Sequence, residues 1–261
     1  MKVAVAGKGG VGKTLISATL ARILARRGFE VLAIDADPSM NLGSALGICT
    51  EALRNITPIS QDDELIEERT GPMGDIFRLN PYVADIVEER SVKGPDGVRL
   101  LVMGTVRRAD GGCMCPANAL LRALTRHILL RQGMFLIMDM EAGVEHLGRG
   151  TAKGFDTVLD VVEPSVKALG TALRIEELAL DMGVGNVEFV ANKVSSIEDL
   201  EFIKGRLGEN KSLLGWIPLD PMVIRADIEG KSLLDYAPSS PALRSIEGLA
   251  LNLVSKFLRG S

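Results

Sequence analysis

"GKGGVGKT" runs from Gly7 to Thr14, and its reading decides the fold. It fits G-x-x-x-x-G-K-[ST], the pattern of a phosphate-binding loop between a strand and a helix. The context fits as well. "VAVAG" (Val3 to Gly7) is an unbroken apolar run, which predicts a buried strand. "TLISATLARILARRG" follows, where Leu15, Ala18, Leu20, Ala21, Leu24 and Ala25 approximate a helical stripe and Gly28 is the stop. The glycines allow a tight turn in which the backbone N–H groups of Gly9, Gly10, Val11 and Gly12 face phosphate oxygens. The helix N-terminus adds a positive end. Lys13 is expected at the β and γ phosphates, with the Thr14 hydroxyl on Mg²⁺. A turn with no ligand would carry the conformational cost of these glycines for nothing.

Outward from this loop, short β-rich runs alternate with helical patterns. "EVLAID" (Glu30 to Asp35), "VRLLVM" from Val98, "MFLIMD" from Met134, "TVLDVV" from Thr157, "VEFVAN" from Val187 and "LLGWIP" from Leu213 predict further strands. That alternation implies an α/β fold: a mainly parallel sheet with helices on both faces, in one domain covering residues 1–261. Residues 49–97 are polar, carry several Pro and Gly, and are expected to form an insertion with short helices. In the last segment, Leu243, Ile246, Leu249, Ala250, Leu253, Val254 and Phe257 share one side of a helix. Its polar face is only weakly basic, so docking on the sheet is expected rather than membrane anchoring.

Composition excludes several function classes. Net charge is −4 and aromatic content is 4%, so neither a basic nucleic-acid surface nor a stacking platform is expected. No apolar run reaches the length of a membrane span. The chain opens directly into a strand, with no secretory pattern. Three cysteines do not make a disulfide framework, and the expected setting is the reducing cytoplasm.

A second lysine, Lys8, follows the first glycine of the loop. An ordinary phosphate loop does not require it. "KGGVGKT" resembles the deviant Walker A motif of the MinD, ParA and nitrogenase iron-protein superfamily. The resemblance implies an ATPase that works as a homodimer, with Lys8 crossing to the nucleotide of the other subunit. Other segments extend the likeness. "DADPSMNL" puts Asp37 where the family has the switch I carboxylate that orients or deprotonates the attacking water. "LIMDMEAG" aligns Asp139 with the Walker B aspartate, which holds Mg²⁺ through a water, and Gly143 with the glycine that senses the γ-phosphate. "VANK" brings Asn192, matching the adenine-reading asparagine, with Lys193 beside it. The stretch from Ile217, with Pro218, looks like the loop that closes around the base. Leu15 departs from the pattern: relatives usually carry a hydroxyl there, which implies a lost contact to the α-phosphate.

"GGCMCPANALL" (Gly111 to Leu121) holds two of the three cysteines, one residue apart. Pro116 suits a first helical position, with Leu120, Leu121, Leu124 and Ile128 at helical spacing. Cys115 then falls near the helix N-terminus, where a thiol pKa is lowered. The pair can be two small buried residues, a redox disulfide or a metal site. Extended residues at i and i+2 lie near the limit of disulfide geometry. Two thiolates are too few for a closed four-ligand site. A symmetric dimer would supply Cys113 and Cys115 from each subunit, around tetrahedral Zn²⁺ or square-planar Ni²⁺.

"GTVRRADGGCMCPANALLRAL" with "DMEAGVEHLGRGTAKGFD" is similar to the CooC-type nickel-insertion ATPases. That resemblance implies ATP and ADP with Mg²⁺, nickel or zinc at a dimer-interface C-x-C, and apo carbon monoxide dehydrogenase or acetyl-CoA synthase as client. Two alternatives stand beside it: a MinD/ParA-like positioning ATPase with a structural zinc, and an electron donor with a shared [4Fe–4S] cluster. His146, with Glu141 and Glu145, is a weaker candidate for transient metal contact. His127 is read as partly buried packing, and Cys49 as an inert small residue.

Overall fold

Lys2–Ala6 (β1) lies inside an eight-stranded sheet, between Phe135–Met140 (β5) and Thr157–Val162 (β6). The computed structural model describes residues 1–71, 77–104, 116–130, 133–141, 143 and 154–260. The other strands are Val31–Ala36 (β2), Val92–Lys93 (β3), Arg99–Val102 (β4), Val187–Val194 (β7) and Leu213–Pro218 (β8). The order is β3-β4-β2-β5-β1-β6-β7-β8, parallel throughout except for β3 against β4. Val3, Ala4, Val5 and Ala6 are wholly buried, as a strand covered on both faces requires.

Lys13–Arg26 (α1) lies on one face beside the terminal helix Pro241–Gly260 (α11). Val5, Ile16, Leu20, Ile137, Leu243, Ile246 and Leu253 share that core. Phe135 stacks edge-on to Phe29 at 4.8 Å and meets Phe257 at 4.9 Å, pinning the end of α11 to β5. Pro116–Leu130 (α6), Val166–Asp181 (α7) and Ile197–Leu207 (α8) cover the opposite face with Leu120, Leu124, Ile175 and Ile203. The terminal helix therefore docks as expected, and each large apolar side chain buried there contributes roughly 1.5–3 kcal/mol.

Between β2 and β4 come Leu42–Leu46 (α2), Thr50–Arg54 (α3), Asp63–Thr70 (α4) and Ile86–Arg90 (α5). Ile59, Leu65, Ile66, Ile86 and Val87 are buried in the same cluster as Leu120 and Leu124 of α6. The α4 and α5 segments thus carry that face of the sheet out over β4. Strand β3 was not expected: two residues are too few for a period to be read. Several boundaries differ by one residue; β2 begins at Val31 rather than Glu30, and β5 at Phe135 rather than Met134.

A buried cation ties α1 to its surroundings. Arg22, 3% exposed, donates from Nε to Asp96 (2.6 Å) and from Nη2 to Asp235 (2.9 Å). Its Nη1 donates to the Leu46 carbonyl (3.3 Å) and to Ser232 Oγ (2.6 Å). Ser232 caps the short helix Leu233–Tyr236 (α10), which follows Pro221–Ile228 (α9).

Candidate nucleotide site

The crossover from β1 runs toward β2, and the one from β5 runs the other way to β6, so the sheet has its switch point at β1/β5. Ligands bind such sheets in the crevice at the C-terminal ends of those strands. The loop of Lys8 to Gly12 occupies that place. Two glycines are required by what lies against them. A Cβ on Gly7 (φ +138°) would come within 2.4 Å of the Val161 carbonyl, and one on Gly12 (φ +100°) within 2.4 Å of Asn192 Nδ2.

Lys13 is the first residue of α1 and is 6% exposed. Burial depresses its ammonium pKa, while Asp139, Asp37 and Glu141 work to raise it. Its Nζ donates to the Lys8 carbonyl at 3.4 Å, so the lysine lies across its own loop. Asp139, on β5, accepts from Thr14 Oγ1 (2.7 Å) and Ser17 Oγ (3.0 Å). Full burial raises the Asp139 pKa to about 6, against the pull of those hydroxyls and of Lys13. Thr14 and Ser17 are three apart, on one face of α1. This hydroxyl and carboxylate oxygen set suits a hard divalent cation such as Mg²⁺.

Asp37 lies just beyond β2, half-buried, and its Oδ1 accepts from Ser39 N (2.8 Å) and Ser39 Oγ (2.6 Å). Asp35 supports this turn. Its Oδ1 accepts from Asp37 N (3.1 Å) and its Oδ2 from Leu42 N (2.9 Å). Burial pushes the Asp35 pKa up to about 7. Sequence reading had passed over Asp35 and Ser17. Their signals were a carboxylate ending a buried strand and a hydroxyl one turn after Thr14.

Asn192 and Lys193, expected near the base, both hold the loop. Asn192 Nδ2 donates to the Val11 carbonyl (2.7 Å) and Lys193 Nζ to the Gly10 carbonyl (2.7 Å). Lys193 adopts φ +58°. Pro218 ends β8 opposite Val194. Asp220 then caps α9 through Met222 N (2.9 Å). Gly143 is buried just past β5, and Leu15 is half-buried. A groove of about 560 Å³ opens beside Thr14 and Leu15, lined also by Asn41, Ser44 and Lys231. Cys113, Cys115, Glu145 and His146 lie outside the described residues. His127 is half-buried, and Cys49 is a free, exposed thiol.

Fold and loop together define a P-loop ATPase of the deviant Walker A class. Residues 2–234 match the family described as the CobQ/CobB/MinD/ParA nucleotide binding domain. The chain is 47% identical to the carbon monoxide dehydrogenase accessory protein CooC of Rhodospirillum rubrum, covering 92% of this chain and 91% of that one. It is 43% identical to the ATP-binding protein MJ0823 of Methanocaldococcus jannaschii, over 89% and 91% of the two chains. The MinD cell division protein of Aquifex aeolicus superposes with a TM-score of 0.69 at 23% identity, covering 97% and 96%. A ParA family ATPase from Chlorobium tepidum gives 0.71 at 19% identity, covering 97% and 98%. These two establish the fold. The chain belongs to the MinD/ParA nucleotide-binding family, and within it is similar to the CooC-type accessory ATPases.

Proposed function

We propose that this protein is an ATP-driven accessory factor for carbon monoxide dehydrogenase or acetyl-CoA synthase, which delivers nickel to the apo-enzyme. The observation that carries this reading is the 47% identity to CooC over nearly the whole chain. The C-x-C of Cys113 and Cys115 supports it chemically.

In this reading the triphosphate takes the loop N–H groups, and Lys13 turns from the Lys8 carbonyl to the β and γ phosphates. Thr14 and Asp139 would hold Mg²⁺, which would neutralise phosphate charge when bound. Asp37 orients water toward the γ-phosphorus. The new P–O bond forms as the β–γ bridging bond breaks, and ADP and phosphate leave. Gly143 senses the γ-phosphate, while Asn192, Lys193 and Pro218 border the base. Lys8 reaches the partner subunit's nucleotide, so ATP favours a homodimer. That dimer places two C-x-C pairs around one Ni²⁺, or Zn²⁺ in its place. ATP and ADP must differ in affinity for the closed dimer if hydrolysis is to bias metal release. The protein acts in the cytoplasm, without nucleic acid or membrane. Among the described residues, no helix is long and apolar enough to cross a membrane.

Metal stoichiometry tests the proposal. One tightly bound Ni²⁺ per two chains is expected, with thiolate-to-metal charge-transfer absorption and a metal-promoted rise in mass. Affinity falls with pH as protons compete for the thiolates. Cys113→Ser or Cys115→Ser abolishes tight binding and Cys49→Ser does not, while each still binds ATP. One metal per chain with no change of mass would sink the shared site.

A further inference from the structure

Glu163 follows β6 directly and is 21% exposed at its side chain. Both lysines beside the phosphate loop converge on it. Lys8 Nζ lies 3.7 Å from Oε1 and Lys193 Nζ 3.0 Å from Oε2, and Lys193 also holds the Gly10 carbonyl. Lys13 meanwhile bonds the Lys8 carbonyl. In the single chain, then, the side chain of Lys8 is drawn toward its own subunit and its backbone carbonyl is occupied by Lys13. A carboxylate at the rim of a triphosphate site is electrostatically unfavourable for the ligand unless it has another task.

We infer that Glu163 is a positioning residue that parks Lys8 in cis until a triphosphate draws it away. The inference rests on the reading that Lys8 acts across a dimer. The pair has the right strength for a latch. Half-exposed ion pairs are weak, so incoming phosphate charge can displace this one. A buried, fully satisfied pair would hold Lys8 permanently. Glu163 also gives the crossing lysine an electrostatic signal: its cis partner is lost when phosphate charge arrives and restored when phosphate leaves.

Two measurements on the full chain test the assignment. The first is labelling of Lys8 by acetic anhydride without nucleotide, read by peptide mass spectrometry with exposed Lys204 as internal reference. Glu163→Gln should speed Lys8 labelling by about threefold or more, because loss of the carboxylate releases the amine from its ion pair. Unchanged labelling overturns the latch, whatever the oligomeric state. The second is light scattering with a non-hydrolysable ATP analogue. Glu163→Gln should dimerise at about threefold to tenfold lower protein concentration than the parent, and Lys8→Ala should erase that gain. A gain that survives in the Lys8→Ala/Glu163→Gln double variant overturns action through Lys8. A parent chain that never dimerises with the analogue sinks the trans role of Lys8, and the labelling result then still decides the cis contact.

Discussion

Asp139 and Asp160 make an instructive pair. They lie on the two strands flanking β1, in register with its consecutive residues Val5 and Ala6, and neither is exposed. Asp139 faces α1, where two hydroxyls and Lys13 meet it. Asp160 alternates with Leu159 and Val161, so it faces the other side of the sheet. Among the described residues neither of its carboxylate oxygens has a hydrogen-bond partner. Burial, with Glu176 adding to it and Lys13 opposing, raises the Asp160 pKa well above the ordinary value. Equal burial therefore leaves the two carboxylates with opposite surroundings. What distinguishes Asp139 is the donor set the phosphate-loop helix brings to it.

The largest expected effect breaks the pair on activity. Asp139→Asn should lower ATP turnover by about 100-fold or more, as loss of a preorganised electrostatic partner does. Asp160→Asn should leave kcat within about threefold. Comparable losses in a steady-state phosphate-release assay would mean that the orphan belongs to the site.

Asp37→Ala comes next. It should cost more than about tenfold in turnover and leave ATP affinity within about threefold, accumulating the ATP-bound state. Turnover within about threefold of the parent would put less than about 0.7 kcal/mol of barrier at stake and remove Asp37 from the water-orienting role.

The third effect is on stability, and its sign follows from Asp160. A native pKa raised above the unfolded value means that the unfolded chain ionises first as pH rises. The penalty therefore grows from near pH 4 upward and is absent below it. Asp160→Val should raise stability at pH 7.5 by about 1–3 kcal/mol, the usual cost of an unpaired buried polar group. Urea melts at several pH values should show the gain shrinking toward pH 4, where only the cost of the unpaired neutral carboxyl remains. A pH-independent gain would point to strand packing instead.

The smallest expected effect returns to the Asp139 face. Leu15→Thr tests the expectation that a hydroxyl at this position contacts the α-phosphate. ADP affinity measured by titration calorimetry should rise roughly two- to tenfold, the range of one added hydrogen bond. No gain would mean that the groove beside Leu15 is not on the nucleotide path.

Much of this was legible before any coordinates. The phosphate loop and the strands flanking it are decided locally: glycines needing positive φ, unbroken apolar runs and a helical stripe lie within a few residues of one another. Strands β6 and β8 match their sequence boundaries residue for residue. What escaped reading depends on distant partners. Asp35 is the same residue type as Asp37 two positions on, and only the amide of Leu42 shows that it braces the turn. Glu163 reads as a surface acid until Lys8, in the loop after β1, and Lys193, on β7, close on it. Strand β3 pairs through only two residues, Val92 and Lys93, too short for alternation to register.

Arg22 bears on cooperativity. One guanidinium is shared by the α2 carbonyl of Leu46, by Asp96, and by Ser232 and Asp235 around α10. These three segments are far apart in sequence, yet the departure of any one takes a partner from the same buried guanidinium. They should consequently open as one unit rather than fray independently. In native-state amide exchange Ile48, Val98 and Tyr236, whose N–H groups bond to Gly43, Pro95 and Ser232, are expected to share a single opening free energy. Two of the three segments flank the groove beside Thr14, so access to that groove would be set by a collective event, not by the motion of one loop.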